Sequence, residues 1–411
     1  MGSRRLPRAK AVRALAAAFA LVLAACSGGE AKTPATPSPG ATGTVAAPTG
    51  TSTAPLPSPT STPDPLSPPP ATPEAALASL RAYLPGRPPC PPEIERTWAA
   101  TCTPGNLDGD AITDAVYAIP LASGGALPAP AVVVAWRGSK GELAAFPEIG
   151  AADLGALGRA LFAVADRTGD ARVEVMYLAT ACGAHTCTSR LEIQSWDGSA
   201  WRDAGPGDQG IATLERAAIS GSGTATEVVL HGGVIQSVGA GPPRQSTTTY
   251  RWNGARYAVA SVVPDAPQYL IHAILDADAL FASGRYPEAA VAYVSAAERT
   301  DLKDWQAEIG AGDGRGRLTG YARFRAAVAI AASGADATAA FDAAIARGTE
   351  QAFITATEAF RKGLKEGGSV HAGCLEATRY LTSPGVPAYL RLVFDYGYAN
   401  PQKTAAEICP L

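Results

Sequence analysis

Two kinds of hydrophobic pattern divide the chain. In its first part, short apolar stretches such as residues 115–121 and 173–179 stand between turn residues, which is typical of β-strands. Beyond Pro264 alanine becomes dominant and the apolar positions recur about every 3.6 residues, which is typical of helices. The pattern predicts an α+β protein of two domains, an antiparallel β-repeat domain over 74–263 and an α-helical domain over 264–411.

Two markers recur three times in the β part. The first is a polar loop that runs into an apolar strand, and its copies start at Asn106, Asp166 and, without most of the acids, Ile219. The second is a tryptophan two residues before a glycine, typical of a strand end that meets a hairpin turn, and its copies are Trp136, Trp196 and Trp252. Because the two markers recur at a similar spacing in each copy, each unit is predicted to consist of a loop, a strand and a hairpin.

Oxygen-bearing side chains alternate along the first two loops. They occupy the first, third, fifth and ninth positions, which are Asn106, Asp108, Asp110 and Asp114 in one loop and Asp166, Thr168, Asp170 and Glu174 in the next. The seventh residues, Ile112 and Arg172, offer carbonyl oxygens. Such a set suits a hard cation such as calcium, because a tight loop turns the oxygens inward. Asx-type turns that need no metal are the alternative.

These units resemble the FG-GAP and VCBS repeats of extracellular proteins, whose Asp-x-Asn-Gly-Asp-Gly loops bind calcium on β-propeller blades, as in integrin α-chains. The resemblance covers about residues 89–263 and implies calcium binding at the loop residues above. The dissociation constant expected for such an extracellular module is roughly 10⁻⁴ to 10⁻³ M. Ala111 and Ala171 replace the second glycine of that motif. Since three units are fewer than a closed propeller needs, we expect a partial, propeller-like assembly.

The start of the helical part resembles a tetratricopeptide repeat over residues 279–297. Gly284 and Tyr286 stand where such a repeat turns between two helices, and Ala289 and Tyr293 where the second helix packs on the first. The resemblance implies helical hairpins that bind a protein partner on their concave face. The alternative is that the aromatic residues belong only to the core.

The first 25 residues have the pattern of a signal peptide, with an apolar run too short to span a bilayer comfortably after the cations Arg4, Arg5, Arg8, Lys10 and Arg13. The run ends on Leu23-Ala24-Ala25-Cys26, which resembles the lipobox of bacterial lipoproteins and implies an acylated Cys26 held in membrane lipid. An ordinary cleaved signal peptide is the alternative. Residues 26–73 are mostly Pro, Thr, Ser, Ala and Gly, which predicts a disordered linker.

The other six cysteines fall into neighbouring pairs. Outside the cytoplasm they predict three disulfides, which are Cys90 with Cys102, Cys182 with Cys187 and Cys374 with Cys409. Metal ligation by Cys182, His185 and Cys187 is the rival interpretation. The net charge of −3 falls to about −8 once the five signal-peptide cations are removed, which argues against nucleic acid as a partner.

No catalytic motif stands out. The chain lacks a Gly-x-Ser-x-Gly elbow and a Walker loop, and its histidines lie outside known nucleophile or metal motifs. The sequence therefore favours a membrane-anchored, extracytoplasmic lipoprotein that acts as a non-enzymatic protein-interaction module stabilised by calcium. The alternatives are a carbohydrate-binding protein that uses Trp136, Trp196, Trp201 and Trp252, a hydrolase with the β domain as its platform, and a structural envelope protein.

Overall fold

Two short helices precede the β-strands. The computed structural model describes residue 66 and residues 68–122, 131–146, 157–207, 210–237, 239–400 and 402–411, without the side chains of 157–162. The predicted signal peptide, Cys26 and most of the linker lie outside the described residues. Helix α1 (Pro73–Tyr83) begins after Thr72, whose hydroxyl accepts from the Ala75 amide, and α2 (Pro92–Trp98) follows. The predicted β domain thus starts with helices.

The described strands form three antiparallel sheets, one for each predicted repeat. The first consists of β1 (Thr101–Gly105), β2 (Asp114–Pro120), β3 (Ala131–Arg137) and β4 (Glu142–Phe146). The second consists of β5 (Leu157–Ala165), β6 (Glu174–Cys182), β7 (Cys187–Trp196) and β8 (Trp201–Asp203), with β9 (Gly210–Ala212) also on β7. The third consists of β10 (Arg216–Ser220), β11 (Glu227–Gly232), β12 (Ser246–Trp252) and β13 (Tyr257–Pro264).

The two sequence markers occupy the same places in every sheet. Each polar loop joins the first and second strands, and each repeated tryptophan lies at or next to the end of the third strand. Ile219 is an exception to the predicted boundaries, because it still pairs within β10 and the third loop begins after Ser220. The repeat therefore corresponds to one four-stranded antiparallel unit.

The sheets pack face to face because neighbouring residues on a strand point to opposite faces. On β6, Val175 packs towards the first sheet with Val116, while Met176 packs towards the third sheet with Val228. The outer face of the first sheet, including Tyr117, is covered by α1 and α2. Leu66 belongs to this core and accepts a hydrogen bond from Trp98 Nε1, so packed structure begins before the predicted boundary at residue 74.

Helices make up the rest of the chain. Their bounds are α3 (Leu270–Ala282), α4 (Tyr286–Glu298), α5 (Trp305–Glu308), α6 (Gly314–Ala332), α7 (Thr338–Ala346), α8 (Gln351–Gly367), α9 (Val370–Leu381), α10 (Val386–Val393) and α11 (Ala405–Ile408). The predicted hairpin is α3 and α4, and Gly284 between them has φ of +77°, a conformation that favours glycine. Among the described residues, no helix is both long enough and apolar enough to cross a membrane.

A buried polar cluster lies inside the helical part. Asp278 accepts hydrogen bonds from the hydroxyls of Tyr293 at 2.5 Å and Tyr321 at 2.7 Å, and Lys403 Nζ lies 2.8 Å from its carboxylate. Arg325 Nε donates to the Tyr293 hydroxyl, and its Nη1 donates to a carbonyl of α11. Charges this deep require partners, and the cluster supplies them.

All three predicted disulfides are present, which is consistent with an oxidising, extracytoplasmic compartment. Cys90–Cys102 joins the segment before α2 to β1, and Cys374–Cys409 joins α9 to the residue after α11. Cys182–Cys187 closes the β6–β7 turn. Because the sulfurs of Cys182 and Cys187 are bonded to each other, the rival interpretation as metal-binding thiolates is wrong for this structure.

The third sheet and α3 are joined by the segment between β11 and β12. Arg244 donates to both carboxylate oxygens of Asp276 at 2.8 Å and to the Asp265 carbonyl. His272, only 2% exposed, lies with Nε2 3.4 Å from the Pro242 carbonyl. The described sheets and helices accordingly lie in one compact unit. The boundary between a β-repeat domain and a helical domain at residue 264 stays a prediction.

This junction should weaken in acid. Burial lowers the pKa of His272 to about 4, so between that value and its ordinary pKa near 6.5 only the unfolded chain binds the proton. The contribution of His272 is complete above pH 6.5 and is lost as the pH falls through 4. Urea unfolding at pH 7 and pH 4 should show an acid loss about 2–3 kcal/mol smaller in His272→Gln than in the unchanged chain. Exposed His371→Gln is the control, and an equal acid loss in all three proteins contradicts this assignment.

Candidate functional site

The polar loops and the tryptophan hairpins contact one another, both within a unit and between units, at one end of the sheets. Arg172 Nη1 of the second loop donates to the Trp196 carbonyl, and Arg167 Nη1 of the same loop donates to the Gly221 carbonyl of the third loop. The Arg137 guanidinium of the first hairpin lies 3.8 Å from the centre of the Trp196 ring. This end carries the residues predicted to bind calcium.

Asp114 fixes the first loop to its hairpin. Its Oδ2 accepts from the Leu107 amide and its Oδ1 accepts from the Gly138 amide, each at 2.8 Å, and the residue is fully buried. Burial raises the pKa of the Asp114 carboxyl above its ordinary value, against the effect of the two hydrogen bonds. Both oxygens thus have backbone donors within the unit.

Glu174 has the same place in the second unit. Its Oε2 accepts from the Arg167 amide at 2.6 Å, and its Oε1 accepts from the hydroxyls of Thr168 and Ser195 at 3.2 and 3.1 Å. It is also fully buried, and burial raises its pKa. The longer side chain bonds to β7 instead of the hairpin amide, but the structural role is the same as that of Asp114.

Four of the remaining predicted ligands form local turns with their own backbone. In each case a side-chain oxygen accepts from an amide two or three residues further on, as in Asx-type turns. These bonds run to Asn106 from Gly109 at 2.7 Å, to Asp110 from Ile112 at 2.6 Å, to Asp166 from Gly169 at 2.7 Å and to Asp170 from Arg172 at 3.0 Å. The loops are therefore held by internal hydrogen bonds.

Arg137 supplies a positive charge to the first loop. Its Nη1 lies 3.5 Å from Asp108 Oδ2, its Nη2 forms an ion pair with Glu142, and the residue is 8% exposed. The guanidinium also stacks on Trp196. The sequence pattern drew attention to the neighbouring Trp136 and Gly138, whereas nothing local showed that Arg137 would face an acid of the loop.

Many of the predicted ligand oxygens in the described loops already accept hydrogen bonds from the protein itself. Within the described part of the chain, no three His, Cys, Asp or Glu side chains form a group that could hold a metal. Both oxygens of Asp114 and of Glu174 accept hydrogen bonds, and Asp108 faces a guanidinium. Calcium binding remains a prediction of the family resemblance, and the geometry favours the alternative of metal-free turns.

The tryptophans of the β part pack on neighbouring rings. Trp136 and Trp196 are each 8% exposed. Trp201 lies edge-on to Trp196 at 5.6 Å and to Phe146 at 5.0 Å between ring centres, and Trp252 contacts Tyr257. Little of the Trp136 and Trp196 rings is left for stacking on a sugar, so the geometry favours their structural role.

A second candidate site lies on the outer side of the helical hairpin. Val291 and Val294 on α4 are 71% and 42% exposed, although Tyr293 beside them is fully buried. They line an apolar groove of about 560 Å³ with Pro287, Ile330 and Ala335. The sequence did not reveal this groove, because valines in an alanine-rich helix read as core positions.

Known proteins offer no guide to either site. The chain matches no family model, no curated protein and no solved structure.

Asp114→Asn should destabilise the protein by about 1–3 kcal/mol, because the new amide group must point a donor at the Leu107 or the Gly138 amide. Exposed Asp170→Asn should change the free energy of unfolding by less than about 0.5 kcal/mol. Urea unfolding at pH 7 measures both. Equal effects of the two substitutions would show that the buried hydrogen bonds of Asp114 do not hold the loop.

Thermal unfolding with excess calcium and with excess chelator should give the same melting temperature, because the loop carboxylates already have donors. Calorimetric titration tests the resemblance directly. A saturable heat that disappears in Asp108→Ala with Asp110→Ala, together with a higher melting temperature in calcium, would overturn the metal-free description.

Proposed function

We propose that this protein is an exported, lipid-anchored, non-enzymatic binding protein whose helical part engages a protein partner. The observation that carries the proposal is the exposed Val291 and Val294 over an apolar groove. Exposed apolar side chains that line a shared groove are typical of interaction surfaces.

The groove suits one amphipathic helix of a partner. Val291 and Val294 are three residues apart, so they share one side of α4. An apolar stripe at positions i, i+3 and i+4 of the partner would lie between them and Ile330. Glu298 borders the groove and pairs with Arg347 at 3.6 Å, where both side chains are exposed. Polar partner residues would meet this rim.

The rest of the chain is proposed to place this groove at a distance from a membrane. Cys26 would carry the lipid, and the residues between Cys26 and the buried Leu66 would act as an extended linker with a reach on the order of 100 Å at about 3.1 Å per residue. The three sheets would form an open, propeller-like body, and α3 with α4 a tetratricopeptide-like hairpin. The three disulfides support an oxidising location for this arrangement.

Several side chains suited to catalysis have structural partners, which supports a binding role. All the cysteines that the structure describes are in disulfides. His272 is buried at the junction with the sheets. His231 lies between two carboxylates, 3.5 Å from Glu215 and 3.1 Å from Asp265, as in an ion-pair arrangement.

Crosslinking from the groove tests the proposal. The full chain is expressed in its own cells with a photoreactive amino acid at position 291 or, as a matched control, at exposed position 375 on α9. We expect a discrete crosslinked protein from position 291 only, because the apolar groove holds the partner. Adding Val294→Asp should reduce the crosslink about tenfold or more, since a charge placed in an apolar contact costs well over 1.4 kcal/mol.

Three outcomes contradict the proposal. They are no crosslink from position 291, an equal crosslink from position 375, and a crosslink that survives Val294→Asp. A Cys26→Ser chain shows whether the contact needs the membrane anchor. Saturable glycan binding or hydrolytic activity would favour the alternatives instead.

A further inference from the structure

A separate cleft lies between α1 and the first unit. Its volume of about 830 Å³ is within the range of roughly 300–1,000 Å³ typical of small-molecule sites. Leu80 and Leu84 form one wall, Trp136 and Leu143 form another, and Ile112 of the first loop stands at its edge. Ile112 is 50% exposed, whereas Leu107, the other large apolar side chain of this loop, is fully buried.

The walls of this cleft are held in place by long-range bonds. The Cys90–Cys102 disulfide and the hydrogen bond from the Tyr117 hydroxyl to the Pro89 carbonyl fix one side. On the other side, the Gly138 amide donates to buried Asp114. The cleft is accordingly preformed, as small-molecule sites usually are.

The chemistry of the walls limits the kind of ligand. Pro85, Pro89 and Pro104 line the cleft and have no amide hydrogen to donate, so this surface is poor at holding a peptide backbone or a sugar. An acyl chain needs no hydrogen bonds and gains by burying its methylenes.

The positive charge at the rim of the cleft favours a ligand with an anionic head group. The charged residues that line the cleft are Arg81 and Arg87, although the mature chain is acidic. Arg87 is oriented by stacking 3.9 Å from the centre of the Tyr83 ring and by donating to the Tyr83 carbonyl. Arg81 has no ion-pair partner in the part of the chain that the structure describes. Guanidinium groups pair well with carboxylates.

We propose that this cleft binds a single-chain anionic amphiphile, with its acyl chain between Ile112, Leu143 and Pro85, over the buried Leu80 and Leu84, and its carboxylate at Arg81 and Arg87. The site is distinct from the α4 groove, so the two proposals can fail independently. Neither calcium nor a partner protein is involved.

Calorimetric titration of the chain from residue 27 onward, which retains every described contact, tests the site. We expect dodecanoate to bind one to one below its micellar concentration. Decanoate, which is two methylenes shorter, should bind up to about tenfold more weakly than dodecanoate, because each buried methylene adds a similar increment to the free energy of binding. Dodecyltrimethylammonium, which has the same chain and the opposite charge, should bind at least about tenfold more weakly than dodecanoate.

Matched substitutions locate the binding. Ile112→Glu should weaken dodecanoate binding about tenfold or more, because it places an acid beside the carboxylate and removes an apolar contact. Ile309→Glu, at a similarly exposed isoleucine in the helical part, should leave the binding unchanged. Arg81→Gln should weaken dodecanoate binding without affecting binding of the cationic amphiphile.

The proposal is overturned by any of four results. These are no binding of monomeric dodecanoate, equal affinity for the cationic amphiphile, equal effects of Ile112→Glu and Ile309→Glu, and binding only to phosphatidylglycerol vesicles. The last result would identify a membrane surface in place of a single ligand molecule. Melting temperatures of both variants confirm that the fold is retained.

Discussion

The three sheets depend on one another because each of the first two has apolar residues on both faces. Val175 and Met176 are adjacent on β6, yet each is fully buried, one against the first sheet and the other against the third. An isolated four-stranded unit would expose one of these faces to water, at a cost of roughly 25 cal/mol per Å² of apolar surface. Stacking the units removes that cost, and α1 and α2 cover the outer face of the first sheet.

Stacking also explains why the polar loops carry buried acids. Each loop must cross from the first to the second strand beside a neighbouring unit, so its backbone amides lose water and need other acceptors. Asp114 and Glu174 provide these acceptors at the same position in two units. A carboxylate with several donors is satisfied without a cation, and the Arg137 guanidinium offsets the charge of nearby Asp108. The acidic pattern of the loops thus has a structural explanation beside the calcium hypothesis.

Local signals explain what the sequence could predict. The repeat units, the hairpin tryptophans, the neighbouring cysteine pairs and the turn at Gly284 all depend on residues close together in the chain. Long-range contacts left no such signal. In the sequence alone, Gly239 and Gly241 are ordinary turn residues of a β region, but the Gly239 carbonyl accepts from the Tyr398 amide, and a Cβ on Gly241 would collide with the Tyr396 carbonyl. Leu66 contacts Trp98, and Arg137 lies beside Asp108. No periodic pattern in the sequence connects either pair.

The buried cluster around Asp278 decides which face of the helical hairpin a partner could reach. Tyr293 on α4 and Tyr321 on α6 both donate to Asp278, and Lys403 from the C-terminal segment pairs with the same carboxylate. Arg325 Nη1 donates to the Ile408 carbonyl, so that segment is part of the helical core. Displacing the C-terminal segment would leave the Asp278 carboxylate buried without the positive charge of Lys403, which is costly. A partner that competed for this inner face would have to meet that cost, whereas the outer face with Val291 can be covered without breaking any of these bonds.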